Sequence, residues 1–403
     1  MTISAPTLDI IAALAGVEAD SPLATLRAQR PESVQHAQGS YAALFDPAES
    51  VGLAPGERFA VARHVAQLHA AEAAEQHYAA RLAAVGEPSP SPRLSALLAH
   101  AELLSQRPAA ARPADLQALA DAGLFTREIV TLSQIIAFVA FQVRVIAGLR
   151  LLGPTAPAQP STSSAAGSSA EAASGPSAAP PATSPSAPAS ASTGGQPAAR
   201  VIQPPADLRR PTVFTIEQLE WTPWLQPLDL ANASPKQAAA LEGTRGNSPY
   251  FRLLAEDIDV LVERTATDRG IFYTPGGAPR ADRELSAAAT SRLNGCIYCT
   301  SVHARLASQL SKRTDDIQRL LDRGVAPGTS LELDPRWQAI VDLAVALAPS
   351  PPRAQPAHIA RLRELGLGDL ELLDVIQASS FFAWANRLML TLGEPYLPTT
   401  ATP

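Results

Sequence analysis

Apolar positions along this chain fall in helical rather than alternating patterns, and no run of β-branched residues keeps the two-residue rhythm of a half-buried strand. The pattern predicts helices over 8–15, 22–29, 33–45, 55–84, 93–107, 113–122 and 126–152. After a gap it predicts them again over 215–220, 235–242, 248–265, 280–293, 296–311, 314–323, 334–348, 356–365 and 369–392. Punctuation supports several of these. Thr314-Asp315-Asp316 reads as a cap followed by first-turn acids, Gly324 can end that helix, and Lys312-Arg313 closes the one before it with positive charge. The most apolar stretch, Ile129 to Leu152, is interrupted by Gln134, Gln142, Arg144 and Arg150. A membrane span would pay heavily for arginines near its middle, so we read it as a buried helix.

Composition sharpens the division into two halves. Residues 154–199 are nearly all Pro, Ala, Ser, Thr and Gly, with too little apolar bulk to offset the entropy of ordering. The expected organisation is therefore a helical domain over 1–152, a disordered linker over 153–200 and a second helical domain over 201–403. At 46% apolar and 17% charged, the 403-residue chain can bury a substantial core, and its abundant alanine, leucine and arginine favour helix. A net charge of −6 argues against nucleic-acid binding. The N-terminus carries Asp9 and Glu18 without a basic region and a clean apolar run, so it makes a poor signal peptide, and a cytoplasmic location is expected.

The halves also resemble each other. Gln134-Ile-Ile-Ala-Phe-Val-Ala-Phe-Gln-Val-Arg144 aligns with Gln377-Ala-Ser-Ser-Phe-Phe-Ala-Trp-Ala-Asn-Arg387 at an offset of 243, as Pro113-Ala114-Asp115-Leu116 does with Pro356-Ala357-His358-Ile359. Glu57-Arg-Phe-Ala-Val-Ala aligns with Glu284-Leu-Ser-Ala-Ala-Ala at an offset of 227, so the second copy has about 16 extra residues.

The chemistry concentrates in one place. The only two cysteines, Cys296 and Cys299, lie in Asn294-Gly-Cys296-Ile-Tyr-Cys299-Thr-Ser-Val-His303, with Glu284 upstream. Asn294-Gly295 is a helix-stop signal, since both residue types tolerate the left-handed conformation. A helix restarting at Cys296 puts Cys299 in its first turn, beside unsatisfied amides and the positive end of the dipole. That setting lowers a thiol pKa from about 8.5 and enriches the nucleophilic thiolate. His303, four residues on, shares a face with Cys299. Two readings stand beside a redox one. Cys296, Cys299 and His303 supply three of the four ligands a structural zinc needs, and the cysteines could be inert core residues. No metal and no cofactor is expected. In the first half, the positions aligned with Cys296, Cys299 and His303 are His69, Glu72 and Gln76, so that copy reads as silent; a residual site of Glu57, His69, Glu72 and His77 is the alternative.

Glu284, eleven residues, Cys296-x-x-Cys299, three residues, His303 resembles the active-site signature of the alkylhydroperoxidase D-like proteins of the carboxymuconolactone decarboxylase superfamily, and Ser291-Arg-Leu-Asn-Gly-Cys296 is also similar. The resemblance is strong over about 210–395 and weaker over about 5–152. It implies an all-α fold of two alkylhydroperoxidase D-like helical domains, a peroxide-attacking Cys299, a resolving Cys296, and a proton relay of Glu284 and His303. It further implies a hydroperoxide substrate, an external dithiol or disulfide reductase, and a homo-oligomer, here a trimer of two-unit chains. One departure is Tyr298, where the best-known members carry a second histidine; a phenol of pKa about 10 is a poor proton carrier at neutral pH. Two rival functions remain: a carboxymuconolactone decarboxylase-like lyase, whose chemistry needs no cysteine pair, and a non-enzymatic thiol–disulfide sensor.

Overall fold

The computed structural model describes residues 9–47, 52–153 and 199–398, so the expected linker lies almost wholly outside the described residues. The first half holds α1 (Ile10–Ala15), α2 (Pro22–Ala28), α3 (Pro31–Phe45), α4 (Pro55–Leu68), α5 (Glu72–Val85), α6 (Pro92–Gln106), α7 (Pro113–Asp121) and α8 (Thr126–Leu152). The second holds β1 (Glu220–Pro223), α9 (Pro235–Ala240), α10 (Pro249–Leu254), α11 (Ile258–Phe272), α12 (Arg280–Leu293) and α13 (Ile297–Ser311). It continues through α14 (Thr314–Arg323), α15 (Pro335–Leu347), α16 (Pro356–Glu364), α17 (Asp369–Thr391) and β2 (Gly393–Tyr396). Proline opens α2, α3, α4, α6, α7, α9, α10, α15 and α16, where its missing N–H costs nothing and its fixed φ suits the first turn.

Three expectations change. The single helix expected over 55–84 is two, because the chain turns at His69 and Ala70 adopts a left-handed φ of 50°. The helix expected over 248–265 is α10, one tight turn at Ala255–Asp257, and then α11, which runs on to Phe272. The segment 215–220 is not helical. It leads into β1, which pairs antiparallel with β2, Trp221 opposite Pro395, and Trp221 is anchored by its indole N–H on the Met389 carbonyl at 3.0 Å.

The two halves pack as one compact body, and they do so by pairing equivalent elements. α3 and α11 begin and end 227 positions apart and lie against each other. α6, α7 and α8 begin 243 positions before α15, α16 and α17, and α8 lies along α17. The extra helix α14 sits where the offset changes. Side chains repeat the symmetry. Arg144 donates to the Ala348 carbonyl at 2.6 Å and Arg387 to the Ser105 carbonyl at 2.9 Å, so each buried guanidinium caps the C-terminal end of the other half's helix. Phe138 meets Trp384 at 5.2 Å between ring centroids and Phe141 meets Phe381 at 6.2 Å, the same pair seen from the two sides. His36 Nδ1 and Glu263 Oε2, themselves equivalent positions, meet at 2.8 Å. The long apolar helix α8 is long and apolar enough to cross a bilayer, yet 83% of its most apolar window is buried against the rest of the fold. Its glutamines are used inside: Gln134 accepts from the Trp384 indole and Gln142 from the Tyr78 hydroxyl, both at 2.7 Å.

Candidate active site at the cysteine pair

α12 stops at Leu293, and Gly295 turns the chain with φ 79°, the conformation that the Asn-Gly pair predicts. The Cys296 amide bonds back to the Ser291 carbonyl at 2.9 Å, and Cys296 becomes the N-cap of α13. Cys299 is then the third residue of that helix, in the expected first turn. Both thiols are free and buried, and each shifts the other's titration. Asn386 of α17 favours the thiolate at both sulfurs and is itself fixed by Asn294 at 2.9 Å and by the Ser291 hydroxyl at 3.0 Å.

α12 supplies the carboxylate. Glu284 is fully buried, and it divides its two oxygens between Arg280, one turn earlier, and His303 Nδ1, each at 2.5 Å. His303 lies edge-on to Phe382 at 4.2 Å between centroids, with Phe272 at 5.9 Å. With Nδ1 held by Glu284, His303 Nε2 makes no hydrogen bond to any described residue.

The electrostatics separate the two thiols. Burial opposes ionisation of Cys299, but the Cys296 hydrogen bond, the charge of His303, the Asn386 bond and Arg264 outweigh it and hold this thiol below its ordinary range. Burial and the neighbouring Cys299 push Cys296 well above it. For His303 burial favours the neutral ring, yet the charge and hydrogen bond of Glu284 win and raise its pKa. Glu284 moves the other way: burial is overcome by His303 and Arg280, and its pKa falls. Tyr298 keeps its proton more firmly than usual, chiefly because it is buried.

Sequence reasoning thus named four residues that the fold gathers, Glu284, Cys296, Cys299 and His303, and missed Asn386, Arg280 and Arg264. Arg280 had a signal, its i, i+4 spacing to Glu284. Asn386 had a fainter one, an amide in a helix apolar on all sides whose counterpart in the other half is Val143. Arg264 had none. The aligned positions of the first half do not gather. Glu57 pairs with Arg93 at 2.8 Å, Glu72 bonds only to its neighbour Gln76, and His77 bonds to Tyr41 at 2.8 Å. His69 lies buried near Arg144 and Arg387, bonded to the Val65 carbonyl at 2.8 Å, its proton affinity lowered by burial and by both arginines. His100 is buried with no hydrogen-bond partner among the described residues, and burial pushes its pKa down to about 3. Among the described residues no three His, Cys, Asp or Glu side chains are arranged to hold a metal ion.

Residues 260–331, which contain Glu284, both cysteines and His303, match the profile of the carboxymuconolactone decarboxylase family. No curated protein sequence matches the chain. Among solved structures, an uncharacterized peroxidase-related protein with an alkylhydroperoxidase AhpD core from Ralstonia eutropha shares 22% identity over 40% of this chain and 84% of its own, with a TM-score of 0.34. A second uncharacterized peroxidase-related protein, from a Silicibacter species, shares 23% identity over 42% of this chain and 92% of its own, also with a TM-score of 0.34.

Proposed function

We propose that this chain, whose residues 260–331 match the carboxymuconolactone decarboxylase family profile, is a thiol peroxidase reducing hydroperoxides through Cys299 and Cys296. The observation that carries this reading is geometric: two buried free thiols open α13, and one turn beyond Cys299 an imidazole is oriented through Nδ1 by the buried Glu284. Cys299 thiolate attacks the terminal peroxide oxygen; an S–O bond forms, the O–O bond breaks, and His303 hands its Nε2 proton to the departing alkoxide. Cys296 then loses its proton and displaces hydroxide from the Cys299 sulfenic acid, giving a disulfide and water. An external dithiol or a disulfide reductase returns the two electrons. Glu284 grips Nδ1 and favours the imidazolium, whose Nε2–H is then free to donate, and Asn386 favours the Cys299 thiolate. A compartment that keeps such a pair reduced, the cytoplasm, is the expected location. A lyase would have no use for the cysteine pair.

Peroxide consumption with dithiothreitol as the recycling reductant, read together with mass spectrometry of the protein, tests this. Cys299→Ser abolishes consumption. Cys296→Ser consumes about one equivalent, the stoichiometry of a thiolate that cannot be resolved, and stops as a sulfenic acid at Cys299. First oxidation at Cys296, or no consumption by the intact protein, overturns the assignment.

A further inference from the structure

A cavity of about 730 Å³ has Arg264, Asp268, Arg245, Phe251, Tyr273 and Arg269 among its lining residues, and neither cysteine. Arg264 is 6% exposed, and a buried guanidinium is normally met by a carboxylate or a set of carbonyls. This one has neither: it makes no hydrogen bond and no ion pair with any described residue, and its Nε is buried without a partner. Aromatic faces hold it instead, with its carbon 5.1 Å from the Phe381 centroid, 5.8 Å from Trp384 and 5.9 Å from Tyr250. Such faces stabilise a cation without consuming its N–H donors. Arg245 and Arg269 face the same space and repel one another, while Asp268 and Glu32 bring negative charge to its wall without pairing with Arg264. The cavity and the thiols are electrostatic neighbours, since Arg264 acts on Cys299 and Asp268 on His303.

We propose that this cavity is a carboxylate-binding subsite, in which the free donors of Arg264, seconded by Arg245, take the carboxylate of an organic hydroperoxide whose peroxy end reaches Cys299. The subsite completes the hydrogen bonding that the fold leaves open on Arg264, and Phe251 and Tyr273 give an apolar wall to the intervening carbon chain. This substrate class rests on the peroxidase reading; the anion subsite does not.

Calorimetric titration of the intact reduced protein with hexanoate and with hexanamide tests it, since the two differ in charge and not in shape. Hexanoate binds at least about tenfold more tightly, as expected for a charge-assisted bond to a desolvated guanidinium. Arg264→Gln removes the difference, and Arg264→Lys keeps part of it. Should loss of the ring contacts unfold the Gln variant, as a thermal melt would show, Arg245→Gln at the cavity rim gives a smaller weakening in a folded protein. Equal affinities, no binding of hexanoate, or an undiminished preference in the folded arginine variants overturns the proposal. A kinetic arm compares a hydroperoxide of hexanoic acid with its methyl ester, the acid having the lower KM. If hexanoate binds but neither peroxide is consumed, the peroxidase reading fails and the subsite stands. If both are consumed alike and hexanoate does not bind, the subsite fails alone.

Discussion

His303 is gripped on one nitrogen and open on the other, and that asymmetry sets what titrates at this site. Glu284 draws a proton onto the imidazole while the imidazolium draws one off Cys299, so each charged form favours the other where burial alone favours neutral groups. Thiolate forms as pH rises through the lowered Cys299 pKa, and the proton needed by the leaving oxygen is lost as pH rises through the raised His303 pKa. The rate of peroxide reduction is therefore bell-shaped, and its rising limb lies below the ordinary thiol value of about 8.5. Glu284→Gln and His303→Ala each lower turnover by roughly 10²-fold and move that limb upward, because each removes a group that favours the thiolate directly or through the histidine. Stopped-flow rates across pH check this, and unchanged profiles in both variants would remove these residues from the mechanism. The same pair leaves a mark on stability. Glu284, with a depressed pKa, contributes above its unfolded value and loses that contribution as pH falls through the folded one. His303, with a raised pKa, contributes below its unfolded value and loses that as pH rises through the folded one. Their joint contribution is complete between about 4.3 and 6.5, the two unfolded values, and the melting temperature of Glu284→Gln approaches that of the intact protein on either side of that window.

At the scale of elements, the site depends on how α12 ends and α13 begins. Asn294-Gly295 announced that turn in the sequence because glycine is the residue for a positive φ, and the structure places Gly295 at 79°. A Cβ there would also stand 3.1 Å from that of Ala109, the neighbour from the first half. Gly295→Ala is expected to destabilise the protein by about 1 kcal/mol or more, from the left-handed backbone alone. It also slows alkylation of Cys299, since the turn that seats Cys296 and the amides around it shifts. A melt and an iodoacetamide time course read both, and a variant indistinguishable from the intact protein would mean the turn has slack. The break between α4 and α5 shows the opposite case. No glycine or proline marks it, and Ala70 takes φ 50° against its own local preference. The long helices were legible for a different reason: α8 and α17 are apolar on all sides, which only a buried helix tolerates, and both boundaries fall within a residue of those expected. What stayed hidden were contacts between elements distant in sequence, such as Arg264 among Phe381, Trp384 and Tyr250.

On the scale of the whole molecule, the repeat offsets were legible as weak matches, and they carried the expectation that the two halves pack together through the long apolar helices 129–152 and 369–392. Equivalent helices meet each other, α3 with α11 and α8 with α17, and Arg144 and Arg387 exchange equivalent carbonyls. A contact in which each side offers the same surface is what a twofold dimer makes between separate chains. Here one chain makes it with itself, between the half without thiols and the half that carries them. The resemblance noted in the sequence implies small helical subunits that form trimers and hexamers. With the twofold contact already internal, the symmetry still open is threefold, so the expected assembly is a trimer of chains carrying six homologous units and three cysteine pairs. Light scattering then gives three times the chain mass of 42.2 kDa. Because 9–153 and 199–398 belong to one compact body, cutting the chain between 154 and 197 leaves that mass nearly unchanged. A species of single-chain mass would overturn the trimer while leaving the internal pairing intact. Release of one half after cleavage would overturn the pairing itself, for a core built on α8 against α17 and on Arg144 and Arg387 cannot come apart without exposing two of the most apolar helices in the chain.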